Sequence, residues 1–328
     1  MSDPSEGAAG KAGRPHFPSG DPDLNQLGVV TVTFEPDHAW PERLRLIASY
    51  FPRCVVVDNS VTPEAQAFVR ATTDQFPGVE LIANPDNPGI GRALNQGFKT
   101  LAAAGLEWII AFDQDSTPAA DLAASLLATT AAQAGPVAVV GANWRDTGRP
   151  DQPSRHLRAG PPLQCGFRRT VAVNDLANVL CVITSGSLFS IAAWRELGGF
   201  DETLFLDLVD TDFCLRAREA GWIVAVSAAA RLAHQRGAKR QVSFLGRVFH
   251  PSFIPPQRLY YQSRNRLRLF RRHGGQAPAW VAYELVYAGK VFADILFLED
   301  RKAAKLAACL RGTWHGLLGR NPAPRPTP

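Results

Sequence analysis

Two carboxylates one residue apart, Asp113 and Asp115, close the apolar run Trp108-Ile109-Ile110-Ala111-Phe112. An extended chain points residues i and i+2 the same way, and a tight turn gathers both around one centre. Either geometry suits a hard divalent cation. Mg²⁺ is commonly held by one or two carboxylates plus substrate phosphates, so an acidic strand end is a candidate diphosphate site. Alone, an Asp-x-Asp is far more often a solvated loop pair, and its chemistry depends on its surroundings. A second acidic pair, Asp210 and Asp212, opens a stretch in which Phe213, Leu215 and Ala217 with Arg216 and Arg218 predict a helix. Carboxylates are favoured in a helical first turn by the dipole, so simple capping also accounts for this pair.

The elements that must position these residues are legible in the chain before and between them. Gly28 to Phe34 is apolar and β-branched and stops at Glu35-Pro36, which predicts a first buried strand. Cys54 to Val57 predicts a second, running into Asp58-Asn59-Ser60; Val79 to Ile82 a third, ending at Asn84-Pro85; Trp108 to Phe112 is the fourth. Between them, Leu44, Ile47 and Ala48 recur at helical spacing, Thr62-Pro63-Glu64 puts proline in a helical first turn, and Asn87 to Gly97 is a Gly-rich turn leading into a helix. This alternation predicts a doubly wound, mostly parallel α/β sheet flanked by helices. Glu35, Asp58, Asn84 and Asp113/Asp115 would then line one edge, at the carboxyl ends of successive strands, where ligands bind.

The glycine loop is neither a Gly-x-Gly-x-x-Gly directly after strand one nor a Gly-Lys-Ser/Thr loop, which disfavours dinucleotide and P-loop sites. Further on, Val137 to Gly141 predicts a strand, 146–162 a Pro- and Arg-rich loop, and Val179 to Ile183 another buried strand. Thr184-Ser185-Gly186-Ser187 follows as a small-residue turn where backbone could approach a ligand. Ala192 to Leu197 predicts a short helix ended by Gly198-Gly199.

The chain has 328 residues and a net charge of +5 that hides a split. Residues 1–230 hold 17 Lys+Arg against 26 Asp+Glu (−9), and residues 231–328 hold 18 against 4 (+14). A basic C-terminal part could face anionic lipid, nucleic acid or an anionic substrate, or be a solvated face. There Arg258, Arg264, Arg266, Arg268, Arg271 and Arg272 interleave with Tyr260, Tyr261, Leu267, Leu269 and Phe270. Such interleaving can stack on bases. An interfacial amphipathic helix is preferred over a nucleic-acid site, because it also explains the next helix, with Val291, Ile295 and Leu298 at helical spacing. Helices packed back on the first domain are the third option.

Five scattered cysteines without a Cys-x-x-Cys pair argue against a disulfide framework or zinc site and suit a reducing compartment. Residues 1–25 lack an apolar core and predict a disordered tail, not a signal peptide or anchor. No stretch approaches the ~20 apolar residues of a membrane span. The expected organisation is therefore a tail (1–25), an α/β domain (26–230), a basic helical region that contacts acceptor or membrane surface (231–321) and a second tail (322–328). The expected location is the cytoplasm, with peripheral attachment at the inner face of the plasma membrane as the alternative; the oligomeric state stays open.

Thr33; Asp58; Asn84 with Gly89 to Gly97; Asp113-Gln114-Asp115-Ser116; Ser185-Gly186-Ser187; Gly198-Gly199-Phe200-Asp201-Glu202; and Val209-Asp210-Thr211-Asp212 occur in an order that resembles the family 2 inverting glycosyltransferases over about residues 28–225. The Phe-Asp-Gln-Asp-Ser form and Arg258-Leu259-Tyr260-Tyr261-Gln262-Ser263-Arg264-Asn265 resemble the bacterial rhamnosyltransferase branch in particular. The resemblance implies a GT-A fold and transfer of L-rhamnose from dTDP-L-rhamnose to a glycan or lipid-linked acceptor, assisted by Mg²⁺ or Mn²⁺. Other family members use UDP-hexose or UDP-galactofuranose, and pocket shape, not a motif, selects the sugar.

Carried over by resemblance, Asp58 meets the pyrimidine with Thr33 and Glu35 beside it, Asn84 and Arg92 line the nucleotide, Asp113 touches the ribose, and Asp115 holds the metal. Asp113 and His234 are further candidate ligands. Asp210 is the candidate general base, although the family commonly has Glu-Asp where this chain has Val209-Asp210. Ser185, Gly186, Trp194, Asp212, Arg236, Arg258, Tyr261 and Arg264 are candidates for contacts to acceptor or diphosphate, with Asp212 the rival base. A nucleotidyltransferase should carry a Lys-containing Gly-rich loop after strand one, and Phe34-Glu35-Pro36-Asp37-His38 is not that. A non-catalytic sugar-nucleotide or nucleic-acid binding module would have no need of Asp210.

Overall fold

A computed structural model describes residues 26–148, 152–160, 166–234, 241–244 and 246–321. The first half alternates as expected: β1 (Leu27–Thr33), α1 (Trp40–Tyr50), β2 (Cys54–Asp58), α2 (Pro63–Thr73), β3 (Val79–Ala83), α3 (Ile90–Ala103) and β4 (Trp108–Asp113). Thr62 caps α2, its hydroxyl accepting the Ala65 amide at 3.3 Å, with Pro63 in the first turn. Beyond β4 come β5 (Ser116–Pro118), α4 (Leu122–Ala131), β6 (Val137–Asp146), β7 (His156–Gly160), β8 (Gly166–Thr170), β9 (Ser187–Ser190), α5 (Ile191–Glu196), α6 (Val209–Glu219) and β10 (Ile223–His234). Two short strands, β11 (Val242–Phe244) and β12 (Arg247–Phe249), precede α7 (Pro256–His273), α8 (Pro278–Phe297) and α9 (Lys302–Leu317).

Among the described residues, one sheet of eight strands runs in the order β3-β2-β1-β4-β9-β6-β10-β5. β3, β2, β1 and β4 are mutually parallel, as βαβ crossovers require, and β9 enters antiparallel between β4 and β6. Successive residues alternate between two buried faces. Val30, Val55 and Ile109 face one core with Phe98, Phe213 and Trp280, while Val29, Val56 and Ile110 face the other with Leu44, Val69 and Leu126. Burial on both sides is why these strands read as unbroken apolar runs.

Two expectations change. Val179–Ile183 is not a strand: Val179, Leu180 and Val182 are buried in the core as irregular chain, and the strand lies just after it, at β9. Apolar burial alone does not distinguish strand from packed coil. Within 146–162, β7 pairs with β8 as an antiparallel ribbon where only a loop was expected.

The interfacial reading of the Arg-rich stretch is also overturned for α7. Leu259, Tyr260, Tyr261 and Leu269 are buried, and the arginines are engaged within the protein. Arg264, 2 % exposed, donates to the carbonyls of Thr203 and Leu204; Arg266 pairs with Glu284, and Arg272 with Asp201 and Asp212. Guanidinium forks satisfy carbonyls and carboxylates that the fold would otherwise bury unpaired. The basic segment is in this respect a clamp, with α7 joining the main core at Leu269.

Candidate active site

The strand ends meet as the α/β topology requires. Asp58, 1 % exposed, accepts bonds on Oδ1 from the Thr33 hydroxyl (2.8 Å) and the Ser60 hydroxyl (2.7 Å) and amide (3.1 Å). Glu35 sits at φ 48°, and its carboxylate accepts from the Val61 and Thr62 amides and the Thr62 hydroxyl. Asn84 and Gln96 exchange two amide bonds of 2.9 Å, tying the β3 end to α3. Arg92 lies exposed in the first turn of α3. Gln114 bonds the Phe34 amide (2.7 Å) and carbonyl (3.1 Å), pinning the β1 end against β4.

The acidic motif is completed from far along the chain. β5 runs antiparallel to β10, with Ser116 opposite His234, so the imidazole arrives beside Asp115. His234 Nδ1 lies 2.9 Å from the Ser116 hydroxyl and 3.3 Å from Asp115 Oδ1. Ligand atoms of Asp113, Asp115 and His234 all lie within 4.8 Å of one another. Asp115 Oδ1 is shielded from solvent and accepts no hydrogen bond. An anionic oxygen so placed is costly unless a cation meets it, and two carboxylates plus an imidazole suit Mg²⁺ or Mn²⁺. The residues therefore fit a divalent ion.

The turn at 184–187 links this cluster to the second acidic pair. Ser185 Oγ accepts the Asp113 amide at 3.0 Å and lies 2.6 Å from Ser116 Oγ, and the Thr184 amide bonds Asp210. Gly186 holds φ +72°, and a Cβ there would fall 2.7 Å from the Leu232 side chain. The turn therefore requires glycine for both conformation and space. Burial pushes the Asp210 carboxyl up to about 6; bonds from the Thr211 and Thr184 amides oppose the rise, and the charges of Asp207 and Asp113 add to it. Burial likewise raises Asp113, with His234 and Arg258 pulling down and Asp115 pushing up.

Asp210 is delivered by an unusual segment. Phe205, Asp207 and Leu208 all have positive φ (63°, 63° and 62°), strained for residues with side chains. Asn265 of α7 donates to the carbonyls of Leu204, Leu206 and Asp207, and Arg258 forks onto the Asp207 carboxylate. The Phe205 carbonyl accepts the Ile90 amide at 2.8 Å, against Gly89 at φ +93°, whose Cβ would lie 2.6 Å from that oxygen. One strained segment thus touches the α3 start, Asp210 and α7.

Other sequence candidates stand elsewhere. Asp212, fully buried, pairs with Arg216, Arg272 and His273. Burial acts to raise its pKa, but the bonds from His273, Arg216 and Arg272 outweigh it and hold the carboxyl below the usual range. Trp194 donates to Asn95 Oδ1 and packs on Phe98. Tyr261 lies buried between Phe205 and the Arg264 guanidinium. Arg236 lies outside the described residues. Sequence reasoning assigned no role to Ser116, Thr184, Asp207 or Asn265; Ser116, Thr184 and Asn265 were visible inside quoted motifs, and Asp207 carried no signal until the fold joined it to Arg258.

Residues 42–198 match the glycosyl transferase family 2 model. Over 203 residues the chain is 30 % identical to the dTDP-rhamnosyl transferase RfbF of Shigella flexneri, a match covering 60 % of this chain and 64 % of that protein's length. Among solved structures, the S. aureus TarS 1–349 fragment aligns with a TM-score of 0.55 at 13 % identity, covering 88 % of this chain and 80 % of that one. The Pyrobaculum calidifontis mannosyltransferase PcManGT, in complex with GDP-Man and Mn²⁺, aligns with a TM-score of 0.54 at 15 % identity, covering 94 % and 92 %. At such identities the structures speak for the fold alone. Motif order, strand topology and family match agree: residues 42–198 match a glycosyl transferase family 2 domain, and the chain has a GT-A fold.

Proposed function

We propose that the protein is an inverting glycosyltransferase that moves L-rhamnose from dTDP-L-rhamnose to a hydroxyl of a cell-envelope glycan or lipid-linked acceptor, working in the cytoplasm. The observation that carries the chemistry is the Thr184-Ser185 turn, which bonds Asp210 through one residue and Asp113 through the next, so a base and an acidic cluster share one cleft. The match to a dTDP-rhamnosyl transferase supports the donor.

In this reading Asp58, Thr33, Asn84, Arg92 and the Glu35 turn form the nucleotide side. Asp115, Asp113 and His234 would hold Mg²⁺ or Mn²⁺, which when bound neutralises charge on the departing diphosphate. Asp210 accepts the proton of the acceptor hydroxyl while that oxygen bonds the anomeric carbon; the carbon–oxygen bond to dTDP breaks on the opposite face, and the configuration inverts. A pKa raised to about 6 suits a base near neutral pH. Arg258, charged and directed by Asp207, stands near Asp113 for contact with diphosphate or acceptor.

Calorimetric titration of dTDP-rhamnose against UDP-sugars, with and without Mn²⁺, tests the donor, and proton NMR of the product tests inversion. Metal-dependent preference for dTDP-rhamnose is expected. Preference for a UDP-hexose or UDP-galactofuranose would move the protein to another donor within the family, and a product with retained configuration would overturn the single displacement.

A further inference from the structure

The helix α9 is packed with its small side inward. Its buried face is Lys305, Ala308, Gly312 and Gly316, laid on α7 so closely that a Cβ at Gly312 would fall 2.3 Å from the Tyr260 carbonyl oxygen. Its large apolar residues point out instead: Leu310 is 72 % exposed, Trp314 58 % and Leu317 53 %. With exposed Ala303 and Ala307 these recur at helical spacing, forming a continuous apolar stripe on the solvent side. A helix in a water-facing position normally carries the reverse pattern. α8 shows a second such stripe, with Leu285 57 % and Phe292 52 % exposed.

The flanks of the α9 stripe are cationic. The helix contains no acid from Lys302 to Leu317. Lys302 and Arg311 are exposed on it, and Arg271 of α7 donates to the Leu317 carbonyl at its end, beside exposed Arg320. A second copy of the chain pressed against this face would bring like charges together. An anionic bilayer surface complements both features, taking the apolar stripe and Trp314 into the interface while its headgroups meet the cations. No helix among the described residues is long and apolar enough to cross a membrane, so the contact is interfacial.

We infer that the outer face of α9 is a docking surface for an anionic lipid bilayer. The surface lies outside the catalytic cluster, and the inference stands whether or not the donor is dTDP-rhamnose.

Sedimentation of the full chain with phosphatidylcholine vesicles and with vesicles containing phosphatidylglycerol tests it. At low salt, the partition coefficient should rise at least about tenfold on the anionic vesicles, each basic residue near the surface adding about fivefold. The double variant Leu310→Glu/Trp314→Glu should lose binding with an unchanged unfolding midpoint, since both side chains are exposed. Lys302→Glu/Arg311→Glu should lose the preference for anionic lipid. Equal binding to both vesicle types, or retained binding by Leu310→Glu/Trp314→Glu, overturns the inference. So does a wild-type dimer in light scattering that the same double variant converts to monomer, which would assign the face to a second copy.

Discussion

The side-chain amide of Asn265, on α7, lies 2.8 Å from the carbonyl of Leu206 and 2.9 Å from those of Leu204 and Asp207, bracing the positive-φ chain that leads into Asp210. Strain of this kind persists only where the surroundings over-determine it.

Asn265→Ala leaves buried carbonyls without their donor and should lower unfolding stability by about 2–4 kcal/mol. Asn265→Asp, close in shape but without the NH₂, should show the same loss. Denaturant unfolding of both variants measures it; a midpoint equal to wild type would remove the bracing role.

Asp210→Asn should reduce turnover by about 10²–10⁴-fold while calorimetric dTDP binding stays within a fewfold of wild type. Its stability effect has the opposite sign. The folded-state pKa of about 6 exceeds the ordinary carboxyl value of 3.8, so this group's contribution is full below 3.8 and is lost as pH rises through 6. The Asn variant escapes that loss, and should melt above wild type at pH 8 and level with it near pH 4. Wild-type turnover should rise with pH through about 6 as the base ionises.

Asp115→Ala should abolish Mn²⁺ binding followed by electron paramagnetic resonance, without nucleotide present. Ser116→Ala removes the hydroxyl that orients His234 and should weaken Mn²⁺ by about 10–100-fold, the range for losing a partner behind a ligand. Unchanged Mn²⁺ affinity in Asp115→Ala would exclude the cluster as the metal site.

Asp212→Asn separates folding from catalysis. Breaking a buried network on Arg216, Arg272 and His273 should cost about 3–5 kcal/mol. The lowered pKa means the stability of this group is present above 3.8 and is lost as pH falls through the folded value. Turnover per folded molecule should be nearly unchanged, in contrast to Asp210→Asn.

The sequence by itself determined the strand–helix alternation to β4, the row of polar residues closing each strand, and the placement of Asp113 and Asp115 at a strand end. These follow from residue periodicity and from which side chains can end an apolar run, both local properties. The tertiary structure decided which distant groups join them. His234 reaches Asp115 only through the β5–β10 register, and Thr184 and Ser185 connect the acidic pairs only because the turn before β9 folds onto β4. The two acids of Asp210-Thr211-Asp212 look alike in sequence, yet Asp210 accepts the Thr211 amide, while Asp212 is buried against α7 through Arg272 and His273. The small inward face of α9 is likewise apparent only once its glycines are seen against α7. Pairing across such separations depends on packing and register, which local spacing does not encode.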